Sequence, residues 1–349
     1  MASRRFYCSG MTPSKYRAVP ILTRALDMDH SPTGALHARL PLQTILGKAA
    51  KLKLLGKSPA GIFLRLNRLI WDLVPPGLRN FYPVRAYGTW LHSLVRLVAT
   101  RQQYFGTFFL RNRPALELMR RLAEEKAEGS TLRIGVLASS VGAEVYSILW
   151  TVRSARPDLK VLLSAIDISK DILNFAEKGI YTSKTNELVG SSIFERLTTD
   201  EMEQMFDLEG QKTRIKPWLR EGITWRLGDA ASPELIHALG RQDIVVANNF
   251  LCHMEPSAAE SCLRNIARLV DREGYLFVSG VDLSVRTKVA RELRWRPVPE
   301  LLEQIHDGDP SVRADWPWCC WGLEPLDRRK PNWQLRYAAV FQIPDQRLP

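Results

Sequence analysis

Leu132-Arg-Ile-Gly-Val-Leu-Ala-Ser-Ser-Val-Gly-Ala-Glu-Val-Tyr-Ser-Ile-Leu149, followed shortly by Leu162-Leu-Ser-Ala-Ile-Asp-Ile-Ser169, is the stretch whose reading decides the fold. It reads as a buried strand, a tight turn, a helix, and a second strand that ends on an acidic residue. That order builds a nucleotide site in a parallel α/β sheet. The first turn brings backbone close to a ligand, and an acid ending the second strand can accept bonds from both ribose hydroxyls. Asp167 is the candidate ribose ligand. The same order also occurs in α/β architecture that binds nothing.

The turn holds a single glycine, Gly142, so it is not G-x-G-x-x-G and offers no cradle for a pyrophosphate. A nucleoside ligand without phosphates fits better. S-adenosylmethionine, with its adenosine, sulfonium and amino-acid tail, answers that description.

Outward from this stretch, apolar strands alternate with helices: Val161 to Ile166, Asp243 to Ala247 and Tyr275 to Ser279 are expected as strands. Thr198-Thr-Asp-Glu201 and Ser257-Ala-Ala-Glu260 have the form of capping boxes at helix starts. Tyr337-Ala-Ala-Val-Phe-Gln-Ile343 suits a last strand in the same sheet. The segment from Met205 to Leu227, with Gly210 and Gly222 as turn residues, reads as a small antiparallel β insertion. Upstream, Ala49 to Leu73, Trp90 to Val98 and the segment opening at Pro114 have helical spacing. The expected organisation is a basic arm over 1–45, a basic helical domain over 46–128, and an α/β domain over 129–349. The last carries the β insertion at about 205–227 and a Trp-rich extension at about 282–327.

Of 349 residues, 45% are hydrophobic and 25% charged, the balance of a globular enzyme. No apolar run approaches the roughly 20 residues of a membrane-spanning helix. The net charge of +12 lies mainly before residue 128, where basic residues outnumber acidic ones about three to one. Such a face attracts anionic partners. Cys8, Cys252, Cys262, Cys319 and Cys320 lack C-x-x-C spacing and histidine pairs, which points to a reducing cytoplasmic home and to no metal. The first 26 residues, Arg-rich and free of acids, read as a basic arm, with a mitochondrial presequence as the lesser alternative.

Four blocks in order over roughly residues 100–283 resemble the chemotaxis receptor methyltransferases, the CheR-type enzymes that methylate glutamate side chains from S-adenosylmethionine. Phe105-Gly-Thr-Phe-Phe-Leu-Arg-Asn112 is similar to N-x-T-x-F-F-R, and Ala138-Ser-Ser-Val-Gly-Ala-Glu-Val-Tyr-Ser147 to A-x-S-T-G-E-E-P-Y-S. Asp167-Ile-Ser with Ala176-Glu-Lys-Gly-Ile-Tyr181 resembles D-I-D and A-x-x-G-I-Y. Asp243-Ile-Val-Val-Ala-Asn-Asn-Phe-Leu251 with Gly274-Tyr-Leu-Phe277 resembles F-D-x-I-x-C-R-N-V-L and G-G-x-L-F.

The resemblance implies an α/β fold: a doubly wound, Rossmann-like methyltransferase sheet with an N-terminal helical domain and the small antiparallel insertion. It implies S-adenosylmethionine as cofactor. Thr107 and Arg111 would meet the methionine end, Glu144 the ammonium, and Asp167 the ribose. Asp229 and Ala230 would flank adenine, and Asn248 and Asn249 would lie under the sulfonium. Arg111, Asn249 and His253 are the candidates at the reacting centre. The implied acceptor is anionic, a protein glutamate or a small carboxylic acid. The chain departs from the pattern at Phe105, Val141, Ala143, Val145, Ser169, Asn248 and His253, where the family has Asn, Thr, Glu, Pro, Asp, Arg and Tyr. These departures, with Trp295, Trp316, Trp318 and Trp321 near the C-terminus, keep a small-molecule O- or N-methyltransferase open as an alternative. A basic nucleic-acid-binding protein and a cofactor-binding pseudoenzyme are further alternatives; nucleic acid is disfavoured because no Pro-Pro-aromatic run follows Asn248.

Overall fold

The computed structural model describes residues 59–98, 106–182, 184–185, 192–309, 316–318 and 324–344. The chain divides into two units, residues 1–99 with 317–319, and residues 100–316 with 320–349.

In the first unit, α1 (Pro59–Asp72) and α2 (Tyr82–Val98) flank a 3-10 turn at Pro76–Asn80. Trp71 and Leu91 are buried, and His92 Nδ1 lies 3.0 Å from the Pro317 carbonyl. The arm and the start of the expected 49–73 helix lie outside the described residues, as does the segment on which the presequence reading rests.

The second unit is built on a seven-stranded sheet of order β6-β2-β1-β7-β8-β10-β9. Its strands are β1 (Thr131–Leu137), β2 (Lys160–Asp167), β6 (Ile223–Leu227), β7 (Gln242–Asn248), β8 (Val270–Ser279), β9 (Arg296–Pro297) and β10 (Val340–Gln342). The first four and β8 run parallel, whereas β10 is antiparallel to β8 and to β9. Strands covered on both faces need apolar residues at consecutive positions, which is why β1 buries Ile134, Gly135, Val136 and Leu137 in a row. Two apolar clusters cover the two faces. One joins α3 (Arg113–Glu124) and α4 (Ala143–Ala155) to the sheet, and the other joins α7 (Pro256–Leu269) and α8 (Leu283–Glu292) to it. Leu118, Met119, Leu122 and Ala123 of α3, a helix the sequence reading gave to the basic region, belong to the first cluster.

The doubly wound α/β sheet and the small antiparallel insertion stand as expected. The insertion consists of β3 (Ile180–Tyr181), β4 (Phe206–Glu209) and β5 (Lys212–Ile215) in the order β3-β5-β4. Ile223–Leu227, read from sequence as part of it, instead pairs parallel with β2 as an edge of the main sheet. The final strand starts only at Val340, because Trp333–Tyr337 is a short helix. The Thr198 capping box opens α6 (Thr199–Met205), with both reciprocal bonds made. The box expected at Ser257 is absent, because Pro256 occupies the first turn and Glu255 is the N-cap, so Ser257 already lies inside α7. Trp295 is core filling, 3% exposed and 5.4 Å from the Phe341 ring.

The chain leaves β1 for β2 on one side and returns from β6 to β7 on the other. This places the topological switch point between β1 and β7. The register aligns Leu137 with Ile166 and Asn248 with Ser279 along the carboxyl edge. There Gly280 adopts φ +60°, and a Cβ on it would stand 2.5 Å from the Asn249 Cα. Gly210, at φ +61° in the β4–β5 turn, has nothing within 4 Å. Gly210→Ala therefore costs left-handed strain alone, about 1 kcal/mol. Gly280→Ala adds a clash and should cost about 3 kcal/mol. Thermal melts of the two variants are expected to differ accordingly; equal melting temperatures would refute the tight packing of Gly280 on Asn249.

Candidate cofactor and acceptor site

One cleft at the carboxyl edge of the sheet gathers seven of the nine residues expected from sequence: Thr107, Arg111, Glu144, Asp167, Asn248, Asn249 and His253 all line it.

Asp167 ends β2, 5% exposed. Its Oδ2 accepts from the Ser140 N–H at 2.9 Å and its Oδ1 from the Ser169 N–H at 3.0 Å. Each carboxylate oxygen offers about two lone-pair directions. Acceptor capacity therefore remains on both, the requirement for holding a vicinal diol. The Ser140 bond pins the turn after β1, in which Ala138 and Ser140 are left-handed, with φ of 54° and 49°. Gly142, at φ 86°, then leads into α4.

Glu144 stands in the first turn of α4. Its Oε1 accepts from Asn248 Nδ2 at 2.7 Å, and Asn248 Oδ1 accepts from the Ser279 hydroxyl at 2.8 Å. Burial pushes the Glu144 carboxyl above its usual range, opposed by the Asn248 bond and the Arg111 charge. A carboxylate so placed gains from an ammonium ligand. Asn249 follows at φ 61°, its N–H bonded to the Ser279 carbonyl at 3.0 Å. His253 lies in the 3-10 turn Leu251–His253.

Thr107 and Arg111 belong to the segment preceding α3, which an aromatic cluster anchors. Phe109 packs on Tyr181, Phe194 and Phe206 with ring centroids 5.3, 5.6 and 5.0 Å away. The Tyr181 hydroxyl donates to the Val141 carbonyl at 2.9 Å, which ties the insertion to the turn after β1.

The structure adds a residue the sequence reading missed. Asp309 accepts from Arg111 Nε at 2.7 Å through Oδ2 and from Arg196 Nη2 at 2.9 Å through Oδ1. Arg111 Nη1 also reaches the Gly106 carbonyl at 3.2 Å. The guanidinium is thus held in place, with Nη donors left for a ligand carboxylate. Nothing in the sequence near Asp309 marks it, since its partners lie 198 and 113 positions away.

Asp229 and Ala230 are not brought to the cleft wall. Asp229 closes its own turn, accepting from the Ala231 N–H at 2.8 Å, and Ala230 is buried in the second apolar cluster. Among the described residues no group of His, Cys, Asp and Glu could hold a metal ion, and Cys252 and Cys262 are buried thiols.

A doubly wound sheet with an acid at the end of β2, a turn pinned to it, and a cleft at the switch point has the arrangement of an α/β nucleoside-binding domain. Residues 106–292, more than half of the chain, match the CheR methyltransferase SAM-binding domain, and the chain belongs to that family. Among curated relatives, an uncharacterized 104.1 kDa protein of Rhodobacter capsulatus is 24% identical over 283 residues, 76% of this chain and 28% of that one. A probable biofilm formation methyltransferase, WspC, of Pseudomonas putida is 23% identical over 249 residues, 70% of this chain and 54% of that one. Chemotaxis protein methyltransferase 1 of Vibrio cholerae is 28% identical over 167 residues, 46% of this chain and 58% of that one. The chain therefore spans less than two thirds of the length of each of these relatives. The cofactor of the domain is S-adenosylmethionine, and the spare acceptors of Asp167, the half-buried Glu144 carboxylate and the remaining Arg111 donors fit its ribose, ammonium and carboxylate.

Asp167→Ala should lower the affinity for S-adenosylhomocysteine about 100-fold, the worth of two hydrogen bonds to a charged acceptor at about 1.5 kcal/mol each. Titration calorimetry beside the wild type reads this directly, and a change below about threefold in a folded variant would rule out Asp167 as the ribose ligand.

Proposed function

We propose that the protein is a carboxyl O-methyltransferase, acting in the cytoplasm on a protein glutamate or a small carboxylic acid. The observation that carries this reading is the convergence of Asp167, Glu144 and Arg111 on one cleft, because these three groups match three parts of the cofactor. A chemotaxis methyltransferase and a biofilm methyltransferase among the relatives support the acceptor class.

When bound, S-adenosylmethionine supplies an electrophilic methyl group on a sulfonium. The protein holds the ribose through Asp167 and the amino-acid end through Glu144 and Arg111. The Asn248–Glu144 bond and the left-handed Asn249 shape the floor where the acceptor approaches. A carboxylate acceptor is ionised at neutral pH, so no side chain has to remove a proton. Alignment and exclusion of water do the rest. The alternative, a small-molecule O- or N-methyltransferase, needs a base, and His253 on the cleft wall is the group available to it.

Transfer of labelled methyl from S-adenosylmethionine should yield an alkali-labile product, and His253→Ala should keep turnover within about threefold. A base-stable product, or a collapse of turnover with unchanged cofactor affinity, would establish the alternative.

The pH dependence has a definite sign. Glu144 has a raised pKa, so ionising it costs the free protein stability as pH rises past the ordinary carboxylate range. Only the ionised form pairs with an ammonium. Affinity for S-adenosylhomocysteine should therefore weaken as pH falls, starting above the ordinary carboxylate range. Glu144→Gln should flatten that profile; calorimetry that finds the same slope in both proteins would remove Glu144 from the ammonium site.

A further inference from the structure

Arg286 stands on α8, 2% exposed, and lines the same cleft. Its Nη1 donates to the Val278 carbonyl at 2.9 Å and its Nη2 to the Arg336 carbonyl at 3.0 Å. Its Nε is buried and makes no hydrogen bond. A guanidinium has five N–H donors, so two neutral carbonyls leave three of them unspent. Buried cations are ordinarily paired with an anion. Here no carboxylate among the described residues contacts the guanidinium.

The charge that perturbs it is of the same sign. Burial first, and the Arg336 cation second, push Arg286 down to about 9, which leaves it charged at neutral pH. Glu324 makes no contact with Arg286; its Oε1 accepts instead from Arg336 Nε at 2.7 Å, Lys330 Nζ at 2.6 Å and the Tyr337 hydroxyl at 2.9 Å.

The position of the cation is as informative as its isolation. Val278, whose carbonyl it holds, pairs with Ala247, and the next pair in register is Asn248 with Ser279. The guanidinium is thus tethered one residue short of the β8 end, on the side of that strand where the Val278 N–H donates to the Ala339 carbonyl, and it lines the cleft from there. Ser279 and Gly280 of the same wall complete the surroundings.

The structure assigns Arg286 as the anion-binding group of the acceptor subsite, where it takes a carboxylate of the methyl acceptor. This rests on the methyltransferase reading of the cleft and narrows its substrate class to acceptors that bring a carboxylate into a buried cationic pocket. In the reaction, a carboxylate oxygen forms the new bond to the methyl carbon as the carbon–sulfur bond breaks. The electron pair of that bond stays on sulfur, and no proton moves. The acceptor thereby loses the charge that Arg286 holds, so the neutral ester binds more weakly than the acid and leaves. Arg286 accordingly sets affinity for the acceptor and its discrimination against amides; it supplies no proton transfer.

The test uses the full chain saturated with S-adenosylhomocysteine and takes glutarate as probe, with glutaramide as its neutral counterpart. Calorimetry should show saturable binding of glutarate and none of glutaramide. Arg286→Gln, which keeps side-chain donors for the two carbonyls but removes the charge, should weaken glutarate at least tenfold. Its affinity for S-adenosylhomocysteine should stay within twofold of the wild type. Arg286→Lys, which keeps the charge, should restore most of the glutarate binding. Glutarate that fails to bind the wild-type complex, or binds the Gln variant equally well, overturns the assignment and leaves Arg286 as a pin between β8 and the Trp333–Tyr337 helix. Should the Gln variant not fold, nitrogen-15 spectra of the wild type decide: a buried arginine Nε–H resonance must shift on adding glutarate, and an unmoved one overturns the assignment. Loss of S-adenosylhomocysteine binding by the wild type would count against the cofactor reading instead, so the two failures are distinguishable.

Discussion

The Asp167 carboxylate is the interaction on which the site depends. It ends one strand and, through backbone N–H groups at 2.9 and 3.0 Å, fixes both the turn after β1 and the start of α5 (Lys170–Lys178). A hydrogen bond to a buried charged group contributes about 1.5–3 kcal/mol, whereas a left-handed residue other than glycine costs about 1 kcal/mol or more. The carboxylate can therefore hold Ala138 and Ser140 in the left-handed region, where backbone alone would not stay. The same group that builds the turn keeps lone pairs for a ligand, so formation of the site and its capacity to bind rest on one ionised side chain.

A second constraint comes from packing. Phe109, Tyr181, Phe194 and Phe206 belong to four separate stretches of sequence, yet their rings meet edge-on or stacked within 5.0 to 6.4 Å. Through Tyr181 the cluster reaches the Val141 carbonyl, and through Phe109 it holds the segment that carries Thr107 and Arg111. The insertion thus does local work: it clamps the segment that brings Thr107 and Arg111 to the cleft.

How much of this was legible in sequence follows from how local each signal is. Strands buried on both faces announce themselves as apolar runs, and Asp167 closes such a run, so the sheet and the place of Asp167 at its carboxyl edge could both be read. The Thr198 box was legible because all its partners lie within four residues, while the Ser257 box failed because Pro256 moved the helix start. Ile223–Leu227 has the short alternating pattern of a hairpin strand, and only its pairing with β2 places it in the main sheet. Asp309 and Arg286 had no local signal at all. Each derives its meaning from partners or cavities assembled by the fold, one through arginines far upstream and the other through the anion it lacks.

The sheet ends, on one side, in β9, two residues long and closed by Pro297. A proline offers no N–H to an incoming strand, and two residues give too short a ladder to template one. That margin is sealed against sheet-to-sheet growth. Strand addition to the seven-stranded sheet would begin at the β6 margin, where Trp225, Arg226 and Leu227 lead to Gly228, whose N–H donates to the Asp167 carbonyl at 3.0 Å.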